Sequence, residues 1–187
     1  MVGDLTGPVL LVGHSYSGMV VGQVADRDPE RVAGVVNLGS FLPEDGVSLM
    51  NVWGDTTKER AEEVRTIADD GNLWTAPNSE MLEMEPDLNE QHRDYLAHNF
   101  RDHPGLTVTD PAVMANSVQA QPTTYVALSA EGEQDAWVHA PQAAREATGW
   151  RRRFIASGHW PMVSRPEEVA DLLGQEARYY ARKHVAG

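Results

Sequence analysis

The chain carries its first short apolar run at Val9-Leu10-Leu11-Val12, closed by Gly13. Unbroken apolar character over so few residues predicts a strand buried on both faces, as in a parallel sheet. From Tyr16 to Ala25, Met19, Val20, Val21 and Val24 alternate with Gly18 and Gly22, which predicts a helix lying close against that sheet. A turn over residues 26 to 30 leads to a second buried strand, Val32 to Leu38. The same rhythm resumes after Pro122, with a strand at Thr123 to Ser129, a helix around Ala140 to Ala147 and a strand at Arg153 to Ala156. A long terminal helix follows, with Ser164 and Glu167 as its capping box and Pro166 in its first turn; Val169, Leu172, Leu173 and Tyr180 line one face.

Residues 43 to about 118 differ in character. They are acidic, rich in Met and Trp, and hold no convincing strand, so they read as a helical cap inserted between two strands of the sheet. Thr56 and Glu59 form a capping box before Ala61, Val64, Ile67 and Ala68. Asp87 and Glu90 repeat that spacing before Tyr95 and Leu96. Neither an internal repeat nor a low-complexity linker interrupts the chain.

Composition narrows the function. With 187 residues the chain is read as one domain, 1–187. It has no cysteine, which removes disulfide frameworks and thiolate metal sites. A net charge of −13 argues against nucleic acid as a partner, because backbone binding needs clustered Lys and Arg. The run Arg151-Arg152-Arg153 is read as a solvated strand edge. No apolar run approaches the roughly 20 residues of a spanning helix, so no membrane partner is expected. Asp4 and the lack of a basic start argue against a secretory signal, leaving the cytoplasm as the default compartment.

The chemistry is concentrated where the first strand meets its helix, at Gly13-His14-Ser15-Tyr16-Ser17-Gly18. A serine on a tight strand-to-helix turn takes a strained backbone and lifts its hydroxyl clear of the sheet, provided that its neighbours two positions away are small. Gly13 and Ser17 meet that demand, although the usual G-x-S-x-G has Gly at the place of Ser17. The backbone N–H of Tyr16, at the helix start, is the expected oxyanion donor. No Gly-Lys-Ser/Thr ending is present for a phosphate loop, and the glycine spacing does not suit a dinucleotide turn. His14 is expected to point away and help pack the site.

Of seven histidines, His159 alone combines a preceding Gly with a loop at a strand's carboxyl end, which makes it the candidate base for Ser15. The orienting acid should come from the loop after residue 129. Ala130-Glu131-Gly132-Glu133-Gln134-Asp135 offers several carboxylates; Glu131 at the strand end is favoured, with Asp135 as its rival. His92, His98 and His103 match no pair of ligand spacings, so neither metal nor cofactor is expected. Trp53, Trp74, Met50, Met81 and Met84 are candidate lining of a substrate site, or core residues of the cap.

Val9 to Gly18, Phe41-Leu42-Pro43, Thr124-Tyr125-Val126 and Gly158-His159 together resemble the α/β-hydrolase superfamily. Within it the chain is similar to small-cap esterases related to plant methyl esterases and hydroxynitrile lyases. The lyases carry Lys directly after the catalytic His, where this chain has Trp160, so the resemblance is to the esterase branch. It implies a three-layer parallel sheet with an inserted cap, and a serine hydrolase acting on a small carboxylic ester through an acyl-serine intermediate. An inactive hydrolase-fold protein with a binding role is the alternative, or a lyase or cofactor-free oxygenase on the same fold. In that family several strands precede the elbow and an early loop supplies a second oxyanion donor, so the resemblance covers the C-terminal half of the sheet. Losing one donor costs on the order of 10²–10³ in turnover. The apolar run Val9 to Val12 would then be an open edge, and a homo-oligomer joined near residues 1 to 13, or a complex with a fragment completing the sheet, is expected.

Overall fold

The computed structural model describes residues 7–54 and 56–185; the part of the expected joining segment before residue 7 lies outside them. The first apolar run forms β1, Val9–His14, and the glycine-bearing segment after the elbow forms α1, Ser17–Arg27. Next come β2, Val32–Leu38, and the cap, with α2 Leu49–Val52, α3 Thr57–Asp69, β3 Leu73–Trp74, α4 Ser79–Glu83, α5 Glu90–Asn99, β4 His103–Pro104 and α6 Leu106–Thr109. A 3-10 turn at Val118–Ala120 leads back to β5, Thr123–Leu128. The chain continues through α7 Glu133–His139, α8 Gln142–Glu146, β6 Arg151–Ile155, α9 Pro161–Ser164 and α10 Pro166–Val185.

The four long strands form one parallel sheet in the order β1-β2-β5-β6. Its two central strands are the most buried, with Val35, Val36 and Val126 at 0% exposure, whereas β1, expected to be buried on both faces, lies at the sheet edge and is only half-buried. Successive residues serve opposite faces. Val36, Leu38, Val126 and Ile155 pack with Val169 and Leu172 of α10. On the other face Val35 packs with Ala25 of α1, while Tyr125 and Ala127 pack with Ala136 and Ala144 of α7 and α8. Helix, sheet and helix make three layers.

α10 is pinned to the sheet by a buried polar knot. Glu176, fully enclosed, accepts from Thr124 at 2.7 Å and Arg151 at 2.7 Å, and pairs with Arg153 at 3.0 Å. The arginine run is therefore not simply a solvated edge. Arg151 and Arg153 turn toward Glu176, and the Arg152 guanidinium lies 3.7 Å from the centre of the Trp137 ring.

Several local expectations are corrected. The helix expected around residue 140 is two, α7 and α8, separated at Pro141, which lacks the N–H a continuous helix needs. Glu133 and Asp135 consequently stand in the first turn of α7 rather than in a loop. The cap does contain strands, since β3 and β4 pair antiparallel, Trp74 opposite His103. Thr56 and Glu59 form the capping box of α3, yet Val64 is exposed and Ile67 is the buried residue of that helix. The cap of α5 is Asn89, whose side chain accepts from the N–H of His92 at 2.9 Å, in place of Asp87. Ser164 closes α9 instead of capping α10, with its hydroxyl on the Trp160 carbonyl.

Candidate active site

Ser15 has φ +54°, and among the described residues Asn72 is the only other non-glycine in that left-handed region. Such a backbone costs about 1–3 kcal/mol and persists only where surrounding contacts fix it. Here they are explicit. The N–H of Ser15 donates to Leu38, its carbonyl accepts from Gly18 and Phe41, and the Ser40 hydroxyl holds the Gly13 carbonyl at 2.8 Å. A Cβ on Gly18 would collide with the Phe41 carbonyl oxygen and lie 2.6 Å from Ser40 Cβ, so the strict glycine is needed at 18. At 17 the side chain is used: Ser17 Oγ accepts from the N–H of His14 and donates to its carbonyl, both at 2.7 Å. That reciprocal pair accounts for the shifted glycine.

His159 follows β6 at the same sheet edge, and its Nε2 lies 2.9 Å from Ser15 Oγ. Burial, assisted by the nearby His14, pushes the imidazole down to about 4, so it is neutral at pH 7. A neutral ring with a free Nε2 can accept the serine proton. The expectation that His14 points away is corrected: its Nε2 lies 2.7 Å from the His159 carbonyl oxygen, with ring centroids 4.8 Å apart. Burial lowers His14 as well, against the opposing effect of that bond.

The acid candidates stand apart from the base. Glu131 is exposed, and its N–H donates to Ser129 Oγ at 3.0 Å. Asp135 accepts from Ser129 Oγ at 2.7 Å and lies 3.5 Å from His139. Neither carboxylate bonds His159, whose Nδ1 makes no hydrogen bond among the described residues. A cavity of about 240 Å³, lined by Ser129, Ala130, His139, Gly158 and His159, adjoins both the loop after β5 and the imidazole.

Tyr16 stands at the start of α1, and its N–H donates to no oxygen among the described residues. Its ring meets His103 at 4.4 Å and Trp74 at 6.4 Å, and Trp74 in turn meets Trp53 at 5.2 Å. These rings cluster beside the elbow, and Tyr16, Trp53 and Trp74 pack against the cap core of Met50, Ile67 and Val108. Of the other lining candidates, Met50 is buried in the core, while Met81 and Met84 are 44% and 76% exposed. His98 lends its carbonyl to Arg101, and among the described residues no group of three or more His, Cys, Asp or Glu is placed to hold a metal ion. No helix of the described residues is long and apolar enough to cross a membrane.

Sequence reasoning missed Glu85, whose Oε2 accepts the main-chain N–H of His159 at 2.8 Å. The one faint signal was Gly158, where a Cβ would strike this carboxylate.

A parallel sheet with a strained serine elbow and a histidine at the same edge defines the hydrolase-fold class. The chain belongs to the alpha/beta hydrolase family, whose sequence profile matches residues 1–172. It is 28% identical over 171 residues to the carbendazim hydrolyzing esterase of Nocardioides sp. (strain SG-4G), covering 88% of this chain and 69% of that protein. Among solved structures it is similar to an extracellular alpha/beta-hydrolase from a Paenibacillus species, described as sharing structural and functional homology with tobacco salicylic acid binding protein 2. The TM-score is 0.74 at 18% identity, over 92% of this chain and 73% of that one. Tomato methylketone synthase I, solved as its H243A variant with beta-ketoheptanoate, matches with a TM-score of 0.70 at 14% identity, over 96% and 75%.

Proposed function

We propose that the chain is a serine hydrolase that cleaves a small carboxylic ester through an acyl-Ser15 intermediate. The observation that carries this reading is the 2.9 Å approach of His159 Nε2 to Ser15 Oγ on a strained elbow. His159 takes the hydroxyl proton as Oγ attacks the ester carbonyl, then returns it to the departing alcohol. Water, activated by the same imidazole, releases the acid. The Tyr16 N–H, free at the helix start, meets the developing oxyanion. Glu131 is the proposed acid, one residue beyond the Ser129 and Ala130 that line the cavity beside His159, with Asp135 as its rival. The aromatic cluster of Tyr16, Trp74 and Trp53 next to the elbow supports an apolar or aromatic ester as substrate. The carbendazim hydrolyzing esterase supports ester cleavage as the reaction class.

One observation favours a second reading, a hydrolase-fold binding protein without turnover: among the described residues no carboxylate holds the imidazole Nδ1. A fluorophosphonate probe separates the two, because only an activated serine is phosphonylated. The open edge of β1 is proposed to be covered by a strand from a second copy or from another polypeptide segment.

A further inference from the structure

We infer that Glu85, a residue of the cap, is a positioning residue for the base His159. Its catalytic consequence rests on the ester-hydrolase reading above.

The Glu85 carboxylate reaches out of the cap to accept the His159 N–H at 2.8 Å. The cap lies so close to the base loop here that a Cβ on Gly158 would collide with Glu85 Oε2 and lie 2.6 Å from Asp87 Oδ1. Leu82, Leu88 and Leu96 pack with Phe100, Trp160 and Val163, which seats the same cap segment on residues just after the base. On the opposite side the His14 ring holds the His159 carbonyl. The base is thus gripped by both its N–H and its C=O. Among the described residues its imidazole Nδ1 has no such partner, so the contacts that hold the base from that side of the site are those to its main chain.

The bond to the His159 N–H is set against a cost in fold stability. Glu85 and Asp87 are carboxylates brought together, and among the described residues both Asp87 oxygens are buried without a partner. Burial raises the Glu85 carboxyl, the His159 bond opposes that rise, and Asp87 adds to it. Two crowded carboxylates cost stability rather than supply it. What the pair delivers is a fixed acceptor at the main chain of the base, and misplacing a reacting group by about 1 Å can cost about 10²-fold in rate.

The test compares wild type, Glu85→Ala and Glu85→Gln by hydrolysis of p-nitrophenyl acetate, thermal midpoint and amide hydrogen exchange at His159. Glu85→Ala is expected to lower kcat about 10- to 100-fold while KM stays within about twofold. Its thermal midpoint should change little, since relief of the crowding with Asp87 offsets the loss of an acceptor for the His159 N–H. Exchange at the His159 amide should quicken about tenfold. Glu85→Gln keeps an acceptor oxygen and should restore kcat to within about threefold of wild type. Unchanged kcat in Glu85→Ala overturns the inference, and so does a kcat loss that comes with a lower midpoint and unchanged exchange at His159. If wild type shows no turnover, the hydrolase reading falls and with it the catalytic consequence; unchanged exchange in Glu85→Ala would then overturn the tether as well.

Discussion

His14 Nε2 lies 2.7 Å from the carbonyl oxygen of His159, so the residue before the proposed nucleophile holds the proposed base by its main chain. The two rings, 4.8 Å apart, both have their pKa lowered, chiefly by burial, His159 to about 4. Between pH 6.5 and about 4 the unfolded chain therefore binds protons that the folded site refuses. Stability is full above pH 6.5 and is lost as pH falls toward 4, by about 3 kcal/mol for His159 alone. Thermal midpoints measured across that range should drop on acidification, and less steeply in His159→Ala. Parallel slopes for the two proteins would contradict the burial of a neutral base. The acid limb of kcat/KM should likewise lie well below 6.5.

For the acid, Glu131→Gln should lower turnover more than tenfold, roughly, and Asp135→Asn by less than about threefold, since the carboxylate that reaches Nδ1 stabilises the imidazolium. Steady-state rates on a simple aryl ester decide it. The reverse ranking moves the acid to Asp135. Small, equal effects would leave the base oriented by its main chain alone.

At the elbow, Gly18→Ala should destabilise the chain by about 1–3 kcal/mol, because its Cβ meets backbone at Phe41. Ser17→Gly loses the side-chain bonds to His14 and should cost about 1 kcal/mol. Denaturant unfolding ranks the two. A larger loss for Ser17→Gly would mean that the hydroxyl, not the close approach, holds the turn.

β1 pairs with β2 along one side, and among the described residues no strand lies on the other. Val12 is 44% exposed on this apolar strand. Such an edge is a template for another strand. Light scattering of the purified chain is expected to show a mass above that of a 20.6 kDa monomer. A monodisperse folded monomer would contradict the proposed partner.

Much of this architecture was legible in the sequence. β1, β2 and β5 were legible as short runs rich in apolar residues between turns, although β1 is only half-buried and Asn37, Thr123 and Thr124 are buried polar residues within the other two. β3 and β4 could not, since two residues make no period. The start of α5 was contested by Asp87 and Asn89, two competent caps; Asn89 reached the amide three residues on, while Asp87 was drawn inward beside Glu85. That Ser15 and His159 meet at one sheet edge was readable from a turn and a strand end. The acid was ambiguous because the residues from 131 to 135 crowd three carboxylates into one stretch. Glu85 left no local trace, as its bond to His159 spans 74 residues.

The central claim is that Ser15 is an activated nucleophile served by His159. Mass spectrometry after treatment with a fluorophosphonate probe tests it most directly, on wild type, Ser15→Ala and His159→Ala. Stoichiometric phosphonylation at Ser15 in wild type, absent in Ser15→Ala and strongly slowed in His159→Ala, is the predicted result. A folded wild-type chain that stays unlabelled, or one labelled equally fast without His159, would contradict it.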